Sequence, residues 1–238
     1  MKRFLVLLIL FALASAPFWA QTVIVVKHKA AAGGSIGAAT NTGSPGNYLY
    51  RSTSLPTASA GTISGWFKVN ALSGGTYPTM ICFNGSSTYL FMGFTNGTNG
   101  LVEAWGGSFT STVATLAVND WAYIAITFNG STLTAYAKKN GGASSTATTS
   151  QQSIGSVSNI RILQDGSNND AGAFNVDYVR VWSSVLTQSQ LDTESGSASA
   201  VITSNLLSDS PLPNNTTLNG WSINGSLSNG GDCPYVSH

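Results

Sequence analysis

Charge is scarce in this chain: of 238 residues only 8% are Asp, Glu, Lys or Arg. That excludes a basic track for nucleic acid and a polybasic patch for a membrane surface. Histidine is scarcer still, at His28 and His238, and cysteine stops at Cys82 and Cys233. Residues so few and so scattered do not make a zinc cluster. A Ser–His–Asp arrangement fails for the same reason, and no Gly-x-Ser-x-Gly elbow is present. There are two glutamates, Glu103 and Glu194. Glycoside hydrolysis ordinarily needs two carboxylates flanking the scissile bond, and Glu103 in Leu101-Val-Glu-Ala-Trp105 has no acidic neighbour in sequence, which leaves a remote Asp approaching it in space as the one alternative. Beyond the N-terminus no run is apolar and long enough to span a membrane.

What is present begins with a short basic start, Met1-Lys-Arg, an apolar run Phe4–Ala16, and Ala20 before Gln21. This is the layout of a secretory signal peptide over residues 1–20. The run is shorter than the roughly 20 apolar residues of a membrane anchor, and Pro17 interrupts it. Removing it takes away Lys2 and Arg3, leaving eight basic residues against nine acidic ones. A nearly neutral, exported chain suits neutral partners such as sugars or other protein surfaces. Export also meets an oxidising compartment, so a Cys82–Cys233 disulfide is expected, the alternative being a buried Cys82 and a free thiol in the tail.

Residues 21–46 read as an N-terminal strand, Thr22–Val26, and a flexible connector rich in Ala, Gly, Ser and Thr. Residues 47–238 read as one β domain. Strands are predicted at Tyr48–Arg51, Gly61–Val69, Thr79–Phe83, Thr88–Phe94, Leu101–Trp105, Ser108–Thr112, Trp121–Phe128, Ser131–Ala137, Ser158–Leu163, Ala173–Trp182, Val201–Leu206 and Trp221–Leu227. Turn signals such as Asn84-Gly85 and Asp165-Gly166 separate them, a spacing that indicates a sandwich or barrel. Trp121–Phe128 and Ser131–Ala137 form a hairpin around Asn129-Gly130, with positive φ expected at both. Strict alternation puts Phe174, Val176, Tyr178, Arg180 and Trp182 on one face of their strand. One short helix is predicted at Thr187–Leu191, where Thr187 and Gln190 have capping-box spacing.

Three segments together resemble a known family. Thr62-Ile-Ser-Gly-Trp-Phe-Lys-Val69, Asp120-Trp-Ala-Tyr-Ile-Ala-Ile-Thr-Phe-Asn-Gly130 and Val176-Asp-Tyr-Val-Arg-Val-Trp182, followed by Val185–Leu191, are similar to core strands of laminin-G-like jelly-roll domains of the concanavalin A-like lectin/glucanase superfamily. The resemblance implies an all-β fold: a two-sheet antiparallel jelly-roll sandwich with one short helix. It implies binding of glycans or proteins, often with calcium, and hydrolysis in a minority. The Glu-x-Asp-x-x-Glu strand of the superfamily's glucanases is absent. Trp66, Trp121 and Trp182 match core positions, and Asp177 is expected to bond backbone near the helix.

Sugar C–H faces stack on aromatic rings beside polar groups. Tyr89, Phe91, Trp105 and Tyr123 are the candidate ligand-binding aromatics, with Glu103 and Arg161 as polar neighbours. Asp165, Asn168, Asn169 and Asp170 cluster oxygen ligands suited to calcium, although Asp and Asn are also common turn residues. The leading reading is a secreted, extracellular, non-catalytic lectin-like module that binds glycans or a surface protein. The alternatives are a structural subunit that self-assembles through Thr22–Val26, by adding that strand to a neighbour's sheet, and a glycoside hydrolase.

Overall fold

The computed structural model describes residues 39–167, 169–212, 220–224, 227–229 and 233–236. The signal-peptide segment, Thr22–Val26, His28, Asn168 and His238 lie outside the described residues.

Among the described residues, fifteen strands and one helix follow one another. They are β1 (Ala39–Thr40), β2 (Tyr48–Arg51), β3 (Gly61–Gly74), β4 (Thr79–Gly85), β5 (Tyr89–Phe94), β6 (Leu101–Trp105), β7 (Ala114–Thr115), β8 (Trp121–Phe128), β9 (Thr132–Lys139), β10 (Ser144–Ser150), β11 (Val157–Ile162) and β12 (Gly172–Trp182). Helix α1 (Gln188–Glu194), β13 (Leu206–Ser210), β14 (Ser222–Asn224) and β15 (Ser228–Asn229) complete the series. An eight-stranded sheet has the order β10-β9-β8-β3-β12-β1-β15, with β13 also paired to β12, and a seven-stranded sheet has the order β14-β2-β11-β4-β5-β6-β7. The chain changes sheet repeatedly, at β1 to β2, β2 to β3, β3 to β4, β7 to β8, β10 to β11, β11 to β12, β13 to β14 and β14 to β15. This makes an antiparallel, jelly-roll-like sandwich.

Alternation fills the interior between the sheets. Ile63, Phe67, Ile124, Ile126 and Phe174 from the larger sheet meet Leu49, Phe83, Leu90, Met92 and Ile160 from the smaller one, all 0% exposed. The intervening residues point outward, so each sheet has its own outer face.

Several local expectations shift for identifiable reasons. The β8–β9 hairpin closes at Asn129 N–H to Thr132 O (3.2 Å), so its two central residues are Gly130 and Ser131. Gly130 alone takes positive φ, +91°, at the position where a II′ turn places glycine. The Asn129 side chain instead accepts from the amides of Ser131 and Thr132. In β12 the alternation breaks: Tyr178 and Val179 together oppose Gly65, between the pairs Asp177–Trp66 and Arg180–Ser64. This β-bulge carries Tyr178 at φ +51° and turns Val179 and Val181 into the core, while Tyr178, Arg180 and Trp182 face out. Ser108–Thr112 supplies one isolated bridge, Phe109 to Trp105, and the paired strand is β7. Val201–Leu206 is a connection up to Leu206, where β13 begins. The helix forms where its capping box predicts, with Thr187 and Gln190 bonded reciprocally.

Cys82 and Cys233 do not form the expected bridge. Cys82 lies between the core residues Ile81 and Phe83 and points to the outer face of the smaller sheet. Cys233 packs with Trp66 on the outer face of the larger sheet. The whole interior separates them. Burial, then the Asp165 carboxylate, push the Cys82 thiol up, which suppresses the thiolate that exchange requires.

Candidate functional site

The two outer faces are built differently. On the larger sheet, α1, the connection after it and residues 233–236 lie over the strands. Trp66 donates to Ser195 O (3.0 Å) and Trp182 to Ile202 O (2.7 Å). Arg180, fully buried, bonds Glu194 Oε2 (2.8 Å), Asp209 Oδ1 (3.0 Å) and the carbonyls of Glu194 and Ser197. Asp177 accepts from the Tyr178 and Cys233 amides, the backbone role expected of it, with the C-terminal segment as partner. Tyr123, expected at a ligand site, belongs here. It is 0% exposed, donates to Ser64 Oγ (2.7 Å), and packs in the same cluster as Trp66 and Tyr136.

The outer face of the smaller sheet brings the other candidates together. Cross-strand register aligns Tyr50, Arg161, Cys82, Phe91 and Trp105 in one lateral row over β2, β11, β4, β5 and β6. Tyr89 lies 5.6 Å from Trp105, and Phe91 stacks on Trp105 at 6.0 Å and 26°. Phe91 is itself only 5% exposed, so it forms a floor under the half-buried Tyr89 and Trp105. Tyr77 and Phe109 extend the cluster, at 5.6 Å from each other and about 6 Å from Phe91. Sequence reasoning singles out neither: Tyr77 sits in the loop before β4, and Phe109 lies in the predicted strand Ser108–Thr112, which makes one isolated bridge. Glu103, on the same face, accepts from Thr112 Oγ1 at 2.5 Å.

Arg161 is the cation of this row. Its guanidinium donates to Asp165 O (2.9 Å) and stands 4.7 Å over the Tyr48 ring. Two shallow grooves flank it. One, about 330 Å³, is lined by Asn84, Ser87, Thr88, Tyr89, Asn159 and Arg161, among others. The second, about 340 Å³, is lined by Tyr48, Tyr50, Ser158, Asn159, Arg161 and Asn224, among others. Tyr48 and Tyr50 flank the core residue Leu49, so their outward direction is present in the alternation of β2.

The loop after β11 walls the first groove. A Cβ on Gly166 would collide with Asn84 Oδ1, so glycine permits the loop to lie this close. Asp165, 2% exposed, turns inward and caps the loop. Its carboxylate accepts from the amides of Ser167, Asn169 and Asp170 and from the Ser167 hydroxyl. Asp170 accepts from the Tyr77 amide (3.0 Å). Among the described residues, no three His, Cys, Asp or Glu side chains group together.

A laminin G family model, described as concanavalin A-like lectin/glucanases superfamily, matches residues 41–192. No curated protein matches the sequence. Among solved structures, the chain is similar to a heptameric SAP-like pentraxin from Limulus polyphemus, with TM-score 0.55 and 10% identity over 82% of this chain and 94% of the other. It is similar to a candidate carbohydrate-binding protein from Bacteroides ovatus, with TM-score 0.53 and 19% identity over 82% of this chain and 60% of the other. The enzymatically active domain of bacteriophage CBA120 tailspike protein 2 is also similar, with TM-score 0.54 and 12% identity over 74% of this chain and 29% of the other. At these identities the structural likeness speaks for fold alone. The family match covers more than half of the residues, and the chain belongs to the concanavalin A-like lectin/glucanases superfamily.

Proposed function

We propose that this chain is a secreted, non-catalytic lectin-like module that binds a neutral glycan on the outer face of its seven-stranded sheet. One observation carries the proposal: the stacked Tyr89–Phe91–Trp105 surface lies beside grooves lined by amides and hydroxyls, and Tyr89 and Trp105 keep part of their ring area in water. Aromatic faces satisfy sugar C–H surfaces, and amides and hydroxyls satisfy sugar hydroxyls. The carbohydrate-binding description of the Bacteroides ovatus neighbour agrees with this reading.

The placement of the two glutamates supports the absence of hydrolysis. Glu103 is on the open face, whereas Glu194 is fully buried against Arg180 beneath the opposite covering. They cannot flank one glycosidic bond. The Asp165 loop supports a calcium-independent site, because Asp165 already receives hydrogen bonds from three amides.

A glycan array probed with the wild-type protein and with Trp105→Ala, each with calcium and with EDTA, tests the proposal. We expect at least one neutral glycan to bind, with equal signal in EDTA and at least tenfold less signal for Trp105→Ala. Absence of binding to every glycan would overturn it, and release of reducing sugar from a bound ligand would overturn its non-catalytic part.

A further inference from the structure

The two grooves are separate volumes that share Asn159 and Arg161. These side chains, both outward on β11, therefore form the wall between them. Each groove has its own aromatic surface: Tyr89 in one, Tyr48 and Tyr50 in the other. Each also has its own side-chain amide, Asn84 in the first and Asn224 in the second. At about 330 and 340 Å³, each stands at the lower end of the range of small-molecule sites, roughly 300–1,000 Å³.

The grooves are displaced across the strands and not along them. The second spans β14, β2 and β11, and the first spans β11, β4 and β5. Neighbouring strands are about 4.8 Å apart, so the path from β2 to β5, three strand steps, is roughly 14 Å. The Trp105 platform continues it by one more strand, β6.

Resting on the glycan-binding reading above, we infer that the site takes an extended neutral oligosaccharide laid across the strands. One unit occupies each groove, and Arg161 and Asn159 contact the linkage between them. The Arg161 fork is held in place for this by its bond to the Asp165 carbonyl and by the Tyr48 ring beneath it. A single ring fills one groove and leaves the second aromatic surface unused, so affinity depends on chain length.

Calorimetric titration with cello-, xylo- and malto-oligosaccharides of one to six units tests this. In at least one series the wild-type affinity should rise tenfold or more from one unit to three. Tyr50→Ala in one groove and Tyr89→Ala in the other should each remove that rise, while both proteins melt within a few degrees of wild type. Asn159→Ala, which removes part of the wall the two grooves share and the acceptor of the Asn84 amide (2.7 Å), should weaken the trimer at least tenfold more than it weakens the monomer. Equal affinity for monomer and trimer, or sensitivity to only one of the two tyrosines, would overturn the two-groove arrangement and leave glycan binding standing. The arrangement is overturned in the same way if none of the three series binds while the array shows another glycan. Silence in both experiments overturns the inference together with the reading beneath it.

Discussion

The two outer faces of this sandwich carry similar side chains and meet different fates. The larger sheet displays Trp66, Trp121, Tyr123, Tyr136, Tyr178 and Trp182, and all are buried. The smaller displays Tyr48, Tyr50, Tyr89, Phe91 and Trp105, and of these only Phe91 is buried. The difference lies in the segment that packs over the rings. On the covered face, Trp66 and Trp182 donate to carbonyls of the segment that follows β12, and Tyr136 donates to Asp192 of α1. On the open face the rings stack on one another. An aromatic side chain on an outward strand position is thus structural or available according to whether a later part of the chain lies over it.

The largest expected effects are on the covered face. Trp66→Ala removes a wholly enclosed ring and leaves Ser195 O without its donor, at a cost of about 3–5 kcal/mol. Glu194→Ala leaves the buried Arg180 without its main counter-ion and should cost a similar ~3–5 kcal/mol. Asp209, whose side chain is 27% exposed, should matter far less when replaced by alanine, roughly 1 kcal/mol or under. Urea unfolding of the three variants measures this. Equal losses for Glu194→Ala and Asp209→Ala would refute the view that the covering segment is pinned through its buried end.

Trp105→Ala provides the opposing case. Its ring stacks on Phe91 and Tyr89 but remains half-buried, and each aromatic pair contributes about 0.5–1.5 kcal/mol. A stability loss of about 1–3 kcal/mol, combined with at least tenfold weaker glycan binding, is expected from urea unfolding and titration of the same preparation. A loss as large as that of Trp66→Ala would mean the open face is a second core and would erase the comparison.

These contrasts also show what local sequence carries. The β8–β9 hairpin is legible because Ala122, Ile124, Ile126 and Phe128 alternate with outward residues, and the helix because Thr187 and Gln190 stand three apart. Trp105, Tyr89 and Phe91 are legible as outward aromatics on strands. Tyr123 obeys the same local rule. What buries it is the segment running from α1 to Ile202 and the Cys233–Val236 tail, and no strand period encodes that docking. The bulge at Tyr178 shows only as a phase change, with Phe174 and Val176 inward before it and Val179 and Val181 inward after it, and the outward aromatics Tyr178 and Trp182 mask that change by continuing the earlier phase. The Cys82–Cys233 pairing fails for a related reason: composition and compartment favour a bridge, but the two positions fall on opposite sides of the core.

The smallest effect is electrostatic and sits where β8 enters the covered sheet. Asp120 is partly desolvated, which alone would raise its pKa. Bonds from Lys139 Nζ (2.7 Å), the Ala117 amide (2.7 Å) and Asn140 Nδ2 (2.8 Å) outweigh that and hold the carboxyl below its usual range. A depressed folded-state pKa adds stability that is fully present above the unfolded value, about 3.9, and is lost as pH falls through the folded value. Lys139 is 43% exposed, so solvent screens the pair and the contribution should stay under about 1 kcal/mol. Urea midpoints at pH 6 and pH 2 should therefore fall slightly further for wild type than for Asp120→Asn, which has no carboxylate to protonate. Identical acid losses in the two proteins would show that Asp120 holds the strand entry by geometry alone.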